Sequence, residues 1–389
     1  MVKRATLFLA LVLIPALVIP AAASAARDTS GRYIVVLKDD VQDSPSVAAE
    51  HRRKFGAKVT NVYRSTIEGY AAEIRPGELG ALRADKRVAA IEPDRPMKAV
   101  ATQANATWGI DRIDQRGLPL SRSFSYLSSG AGVKAYVIDS GITAAHQEFA
   151  GRVAGIRDFV GLPGEPWHTG GVDCNGHGTH VSGTVLGANH GVAKGASLVG
   201  VRVLDCEGSG LTSEIIAAVD WVTADHQPGQ PAVANMSLGG GRSDALDSAV
   251  RRSIADGVTY AVAAGNGDWR GRAQDACYSS PSRVSEALTL SATDAGDRKP
   301  SWANYGSCVD WFAPGVGITS AWHTSNTAAA TIDGTSMATP HTAGVAALYL
   351  QGNPTASPAT VRSALYNQTT KNIVGYASTA NRHLLYTGW

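Results

Sequence analysis

Apolar and polar positions follow two rhythms along the chain. Up to about residue 100, short apolar runs alternate with charged, helically spaced segments. Residues 33–37, 59–63, 69–74 and 88–92 predict strands; 45–55 and 77–85 predict helices. That order is β-α-β-β-α-β, a small α+β unit of the split βαβ, ferredoxin-like kind. From about residue 101 the pattern changes. Near-continuous apolar runs at 133–138, 197–204, 232–238, 258–264 and 287–292 predict buried strands. Segments 212–226 and 243–256 have helical spacing, with Thr212 and Ser243 at N-cap positions. Such alternation predicts an α/β, doubly wound, mostly parallel sheet with helices on both faces. Chemistry in such sheets sits at the carboxyl ends of the strands.

The first residues follow neither rhythm. Lys3 and Arg4 precede an apolar run, 7–19, broken by Pro15, and Ala23-Ser24-Ala25 has the small-x-small form that a signal peptidase cuts. A bilayer span needs about 20 apolar residues, so a cleaved signal over 1–26 is favoured over a membrane anchor. The expected organisation is a signal (1–26), the small α+β unit (27–100) and the large α/β unit (101–389). The export expected from the signal places Cys174, Cys206, Cys277 and Cys308 in an oxidising compartment. An even count there suggests two disulfides, with three pairings open.

Composition narrows the classes. At 44% hydrophobic and 17% charged residues, the 389-residue chain affords a large core and is not disordered. A net charge of +2 gives no footprint for nucleic acid or an anionic membrane.

Three segments carry candidate chemistry. Asp139 follows the strand Val133-Lys134-Ala135-Tyr136-Val137-Ile138 and precedes Ser140-Gly141, where it suits either orienting a histidine or closing a turn. His177 and His180 lie in Asn175-Gly176-His177-Gly178-Thr179-His180-Val181; spacing leaves open which is a base. A zinc set of Cys174, His177 and His180 is a further possibility, although the segment lacks the Glu of His-Glu-x-x-His. Ser336 lies in Asp333-Gly334-Thr335-Ser336-Met337-Ala338-Thr339-Pro340, ahead of an apolar helix predicted over 337–350. It suits a helix cap or a nucleophile at a helix N-terminus. The segment is not the Gly-x-Ser-x-Gly elbow of α/β-hydrolases.

The chain order Asp, His, Ser is the subtilisin order. With Val137-Ile138-Asp139-Ser140-Gly141, His177-Gly178-Thr179-His180-Val181 and Gly334-Thr335-Ser336-Met337-Ala338-Thr339-Pro340 in place, the sequence from about residue 101 resembles the subtilases, nearest the proteinase K-like branch and its aqualysin-type enzymes. The first unit resembles that family's inhibitor-like propeptide. The resemblance implies a secreted, self-processed serine endopeptidase in which Ser336 attacks, His177 is the base, Asp139 orients it and His180 has a supporting place. It assigns the oxyanion donor to Asn266, in Ala263-Ala264-Gly265-Asn266, and the peptide groove to Gly208, Ser209, Gly210, Ser237, Leu238, Gly239, Ala264 and Gly265. It pairs Cys174 with Cys206 and Cys277 with Cys308. It implies structural calcium, held at one site by Asp111, Asp114, Gln115, Ser121 and Ser123, and at a second by the Ser285 and Ala287 carbonyls with Asp310. Its partners would be protein and peptide substrates, preferring hydrophobic or aromatic residues before the cut, and its own propeptide as inhibitor and folding aid. A monomer is expected, with no nucleic acid and no membrane after signal removal. The rivals are a binding protein on an inactive scaffold and a metal-dependent hydrolase.

Overall fold

The computed structural model describes residues 31–95, 100–162, 164–165 and 168–389. The expected signal, 1–26, and the junction residues Lys98 and Ala99 lie outside the described residues. The chain divides into two compact units, Met1–Lys98 and Ala99–Trp389.

The first unit contains β1 (Arg32–Leu37), α1 (Ser44–Phe55), β2 (Lys58–Tyr63), β3 (Gly69–Glu73), α2 (Leu79–Arg83) and β4 (Val88–Pro93). The strands form an antiparallel sheet in the order β2-β3-β1-β4. Val35 and Leu37 alternate inward from β1 and meet Val47 and Phe55 of α1 and Leu82 of α2. The second helix is shorter than its pattern predicts. Residues Pro76–Glu78 form a 3-10 turn, and α2 begins only at Leu79. Gly77 and Gly80 weaken helix over this stretch.

In the second unit, β5 (Ala101–Ala104), α3 (Trp108–Ile113) and β6 (Ser123–Tyr126) come first, with β5 pairing β6. Then follow β7 (Lys134–Asp139), β8 (Val153–Asp158), α4 (His177–Leu186), β9 (Ser197–Arg202) and α5 (Thr212–Asp225). Next are β10 (Ala232–Met236), α6 (Asp244–Asp256), β11 (Thr259–Ala263), β12 (Leu288–Thr293) and β13 (Trp311–Pro314). A hairpin of β14 (Ile318–Ala321) and β15 (Ala329–Ile332) leads to α7 (Thr335–Gly352) and α8 (Pro358–Gln368). Seven strands form a parallel sheet in the order β13-β12-β11-β10-β7-β9-β8.

The period of two in the strands explains the two layers. Ala135 and Val137 of β7 join one core with Val181 of α4 and Val345 of α7. Tyr136 and Ile138 join the opposite core with Val219 of α5 and Val250 of α6. Both faces are therefore covered, as the apolar runs require. Ser243 caps α6 by accepting the Leu246 N–H (3.2 Å). Thr212 is not a cap: it is the first residue of α5, and the Glu214 carboxylate accepts the preceding Leu211 N–H (3.2 Å). Among the described residues, no helix is long and apolar enough to cross a membrane.

Candidate active site

Asp139 is the last residue of β7, a central strand, and its side chain is fully buried. Its Oδ1 accepts hydrogen bonds from the Ser140 N–H and from His177 Nδ1, both at 2.7 Å. His177 opens α4 and keeps 24% of its side-chain surface exposed. Burial works against its cation, but the charge and hydrogen bond of Asp139 outweigh it, and the pKa of His177 stands above the ordinary histidine value. The pair fixes the imidazole with Nδ1–H toward the carboxylate, which leaves Nε2 as the free basic nitrogen.

A second buried carboxylate, which sequence reasoning missed, holds the start of α4. Asp173 accepts from the N–H groups of Asn175 (3.0 Å), Gly176 (2.8 Å) and Thr179 (2.8 Å), and from the hydroxyls of Ser140 (2.9 Å) and Thr179 (2.6 Å). An anion at a helix N-terminus satisfies the orphan donors there. It also joins the turn after Asp139 to the helix that carries His177. Gly176, at φ 106°, makes the bend; a Cβ there would lie 2.4 Å from His323 Nδ1. About one turn along α4 from His177, His180 is buried, and its Nε2 bonds the carbonyls of Ile318 (3.0 Å) and Ala330 (3.2 Å). Burial pushes its pKa down to about 4, so it is a neutral tie to the hairpin.

Ser336 is the second residue of α7, not its cap; Gly334 takes that place. Its hydroxyl donates to the Ser237 carbonyl (3.0 Å), just beyond β10, and the Ser237 hydroxyl donates to the Ser336 carbonyl (2.8 Å). Among the described residues, no hydrogen bond joins Ser336 to His177. Asn266 follows β11 through Ala264 and Gly265. Its Oδ1 accepts from the Thr335 N–H (2.9 Å) and the Thr335 hydroxyl (2.8 Å). With that oxygen occupied, the amide is fixed, and Nδ2 is left to donate elsewhere. A Cβ built on Gly334 would lie 3.5 Å from both Asn266 Nδ2 and the Ser336 backbone nitrogen, so the two donors border one small space. Asn304, a residue with no sequence signal, braces this loop. Its Nδ2 donates to the Ala264 carbonyl (2.8 Å), and its Oδ1 accepts the Gly267 N–H (3.0 Å).

Two adjoining cavities receive all eight expected groove residues. One, of about 550 Å3, is lined by His177, Gly208, Ser209, Gly210, Ser237, Leu238 and Gly239. The other, of about 360 Å3, is lined by Ser237, Leu238, Gly239, Ala264, Gly265, Asn266 and Ser336. The strand predicted over 232–238 ends at Met236. Ser237–Gly239 thus leave the ladder and run between the cavities, an edge suited to pairing with an extended chain.

Cys174 is bonded to Cys206 and Cys277 to Cys308, with Cα separations of 4.9 and 5.4 Å. The first bridge fastens the loop before α4 to the one carrying Gly208. It also removes Cys174 from any zinc set, and His177 and His180 point to different partners. The two expected calcium sites differ in fit. At the first, Asp111 Oδ1 accepts from the Ser121 hydroxyl (2.9 Å), which meets the Ser123 hydroxyl (2.8 Å), and Gln115 Oε1 accepts the Ser121 N–H (3.1 Å). Burial, with the Asp111 charge adding, pushes Asp114 up to about 6. An oxygen-only donor set with a desolvated carboxylate beside a second one fits a hard cation. At the second, the Arg362 guanidinium already donates to the Ser285 carbonyl and the Asp310 carboxylate. These oxygens do not fit a metal ion while Arg362 holds them.

Comparison with known proteins agrees with this geometry. Residues 130–384 match the subtilase family model, and residues 32–99 match the peptidase inhibitor I9 model. An extracellular serine proteinase of Thermus sp. (strain Rt41A) is 48% identical over 375 residues, covering 91% of this chain and 88% of its own length. An alkaline serine exoprotease A of Vibrio alginolyticus is 48% identical over 339 residues, 86% of this chain and 61% of that protein. The crystal structure of a cold adapted subtilisin-like serine proteinase is 49% identical, with a TM-score of 0.68 over 73% of this chain and 99% of its own. The chain belongs to the subtilase family of serine proteinases and carries an I9 inhibitor-type propeptide.

Proposed function

We propose that this peptide hydrolase is a secreted endopeptidase that works through Ser336, His177 and Asp139. The observation that carries this reading is the 2.7 Å bond from His177 Nδ1 to Asp139, beside the segment Ser237–Gly239 to which Ser336 is bonded. A serine hydroxyl is a weak nucleophile at neutral pH and needs a base. In the proposed reaction, Ser336 Oγ leaves the Ser237 carbonyl and passes its proton to His177 Nε2 as it attacks the substrate carbonyl. Asp139 holds the ring and stabilises the imidazolium. Asn266 Nδ2 and the Ser336 N–H donate to the oxyanion. The protonated His177 then gives its proton to the leaving amine, and water resolves the acyl-enzyme by the same groups in reverse.

The substrate lies extended along Ser237–Gly239 and Gly208–Gly210. The glycine and alanine walls of the second cavity leave volume for a large apolar side chain before the cut, which supports broad specificity with a hydrophobic or aromatic preference. Residues 27–100 act as inhibitor and folding aid, since a large parallel sheet of non-local contacts folds slowly, and self-cleavage near residue 100 releases the enzyme. Calcium, when bound at Asp111, Asp114, Gln115, Ser121 and Ser123, supplies positive charge to that carboxylate pair and ties α3 to β6.

Expression of the wild type and Ser336→Ala side by side tests this. The wild type is expected to be secreted as a processed monomer that hydrolyses casein. Ser336→Ala should accumulate as an unprocessed, inactive precursor. Efficient processing of Ser336→Ala, or casein hydrolysis lost to a zinc chelator but not to a serine-directed sulfonyl fluoride, would contradict it.

A further inference from the structure

We propose that Arg362 takes the place of a metal ion at the Ser285, Ala287 and Asp310 oxygens, so that this part of the fold is held by a guanidinium and binds no calcium. The Asp310 side chain is 8% exposed. Its Oδ2 accepts the Thr289 N–H (2.8 Å), and its Oδ1 accepts from Arg362 Nη2. A carboxylate so buried needs a positive partner, because desolvation without one is costly. Arg362 Nη1 donates at the same time to the Ser285 carbonyl. One planar fork therefore spans two of the three oxygens that a calcium ion would use, a geometry open to arginine and not to a point charge such as lysine.

The fork is delivered by a rigid element. Arg362 lies on α8, between Val361 and Leu365, both fully buried in the core beneath it. Asp310 immediately precedes β13, the edge strand of the parallel sheet, and Ser285 lies just before β12. The guanidinium thus bridges the C-terminal helix to two strand entrances. A calcium ion wants six to eight oxygens around it. It would have to displace a like charge from two of them, so arginine and calcium are exclusive here.

Calcium counting tests this without reference to proteolysis. The full chain is prepared with Ser336→Ala to prevent self-digestion, and calcium chloride is titrated calorimetrically while melting is followed with and without EDTA. Only differences between variants are read, so calcium at the Asp111 site cancels. Asp310→Asn should leave the number of bound calcium ions unchanged. Arg362→Ala should gain about one calcium ion per chain, melt lower than its parent in EDTA and recover when calcium is added. Arg362→Lys keeps the charge without the fork; it should melt lower than the parent and gain no calcium ion. Loss of a bound calcium ion in Asp310→Asn would overturn the proposal, as would an Arg362→Ala protein that neither melts lower in EDTA nor gains a calcium ion.

Discussion

Ser237 and Ser336 exchange hydrogen bonds: each hydroxyl donates to the other's carbonyl, at 2.8 Å from Ser237 and 3.0 Å from Ser336. Pro340 explains the first of these. In a regular helix, the N–H of residue 340 would bond the Ser336 carbonyl, but proline has none. The freed carbonyl is taken by Ser237, which docks the start of α7 on the end of β10. Asn235 Nδ2 donates to the Ser237 hydroxyl in turn (3.0 Å) and fixes its direction.

Ser237→Ala should therefore strand a buried carbonyl, at a cost of about 1–3 kcal/mol. The expected result is a lower melting temperature and kcat reduced about tenfold, with KM within about twofold. Unchanged melting and kcat would show that the exchanged bonds do not position Ser336.

Asn266→Ala should lower kcat about 10²–10³-fold with little change in KM, the size of the loss known for the equivalent donor in subtilisin, a relative. Thr335→Val removes one of the two bonds that aim the Asn266 amide and should cost about tenfold. In the Asn266→Ala background, Thr335→Val should add almost nothing. Additive losses would separate Thr335 from Asn266.

The pH dependence follows from the sign of the His177 shift. The base must be neutral, and its folded pKa is raised by Asp139 against the opposing effect of burial. Activity should fall, as pH is lowered, through a value above that of ordinary histidine. Asp139→Asn should reduce kcat about 10⁴-fold and move this limb to lower pH. The stabilisation from the charged pair is complete below the unfolded histidine pKa and lost as pH rises through the raised folded value. The melting-temperature gap between wild type and Asp139→Asn should narrow over that rise. A limb at the same pH in both proteins would contradict the pairing.

The fold was legible where pattern follows burial. The five apolar runs of the second unit are strands of the parallel sheet, because a strand covered on both faces must be apolar throughout. Short strands of mixed polarity such as β5, β6 and β15 carry no such signal and depend on their partners. At the site, Asp139, His177, Asn266 and Ser336 stand in recognisable motifs, and the structure puts all four at the carboxyl end of the sheet. Asp173 did leave a local trace, since it bonds its own neighbours Asn175, Gly176 and Thr179 ahead of and within α4, but its tie to the Ser140 hydroxyl has no spacing to read. Asn304 was illegible because it acts through hydrogen bonds to backbone of another segment. Arg362 was illegible for the same reason, as its partners are 77 and 52 residues away.

Calcium should stabilise the chain through the Asp111 cluster. In the Ser336→Ala background, EDTA should lower the melting temperature, and Asp111→Ala should melt at the lower temperature with or without calcium. A calcium-dependent gain preserved in Asp111→Ala would place the ion elsewhere.

The most direct measurement is to find which residue a serine-directed sulfonyl fluoride modifies. The purified enzyme is inactivated with the reagent, digested and mapped by mass spectrometry. A single adduct on Ser336, formed in step with loss of casein hydrolysis and much more slowly in His177→Ala, is the predicted result. Inactivation with the adduct on another residue, or full activity in protein whose Ser336 is fully modified, would contradict it.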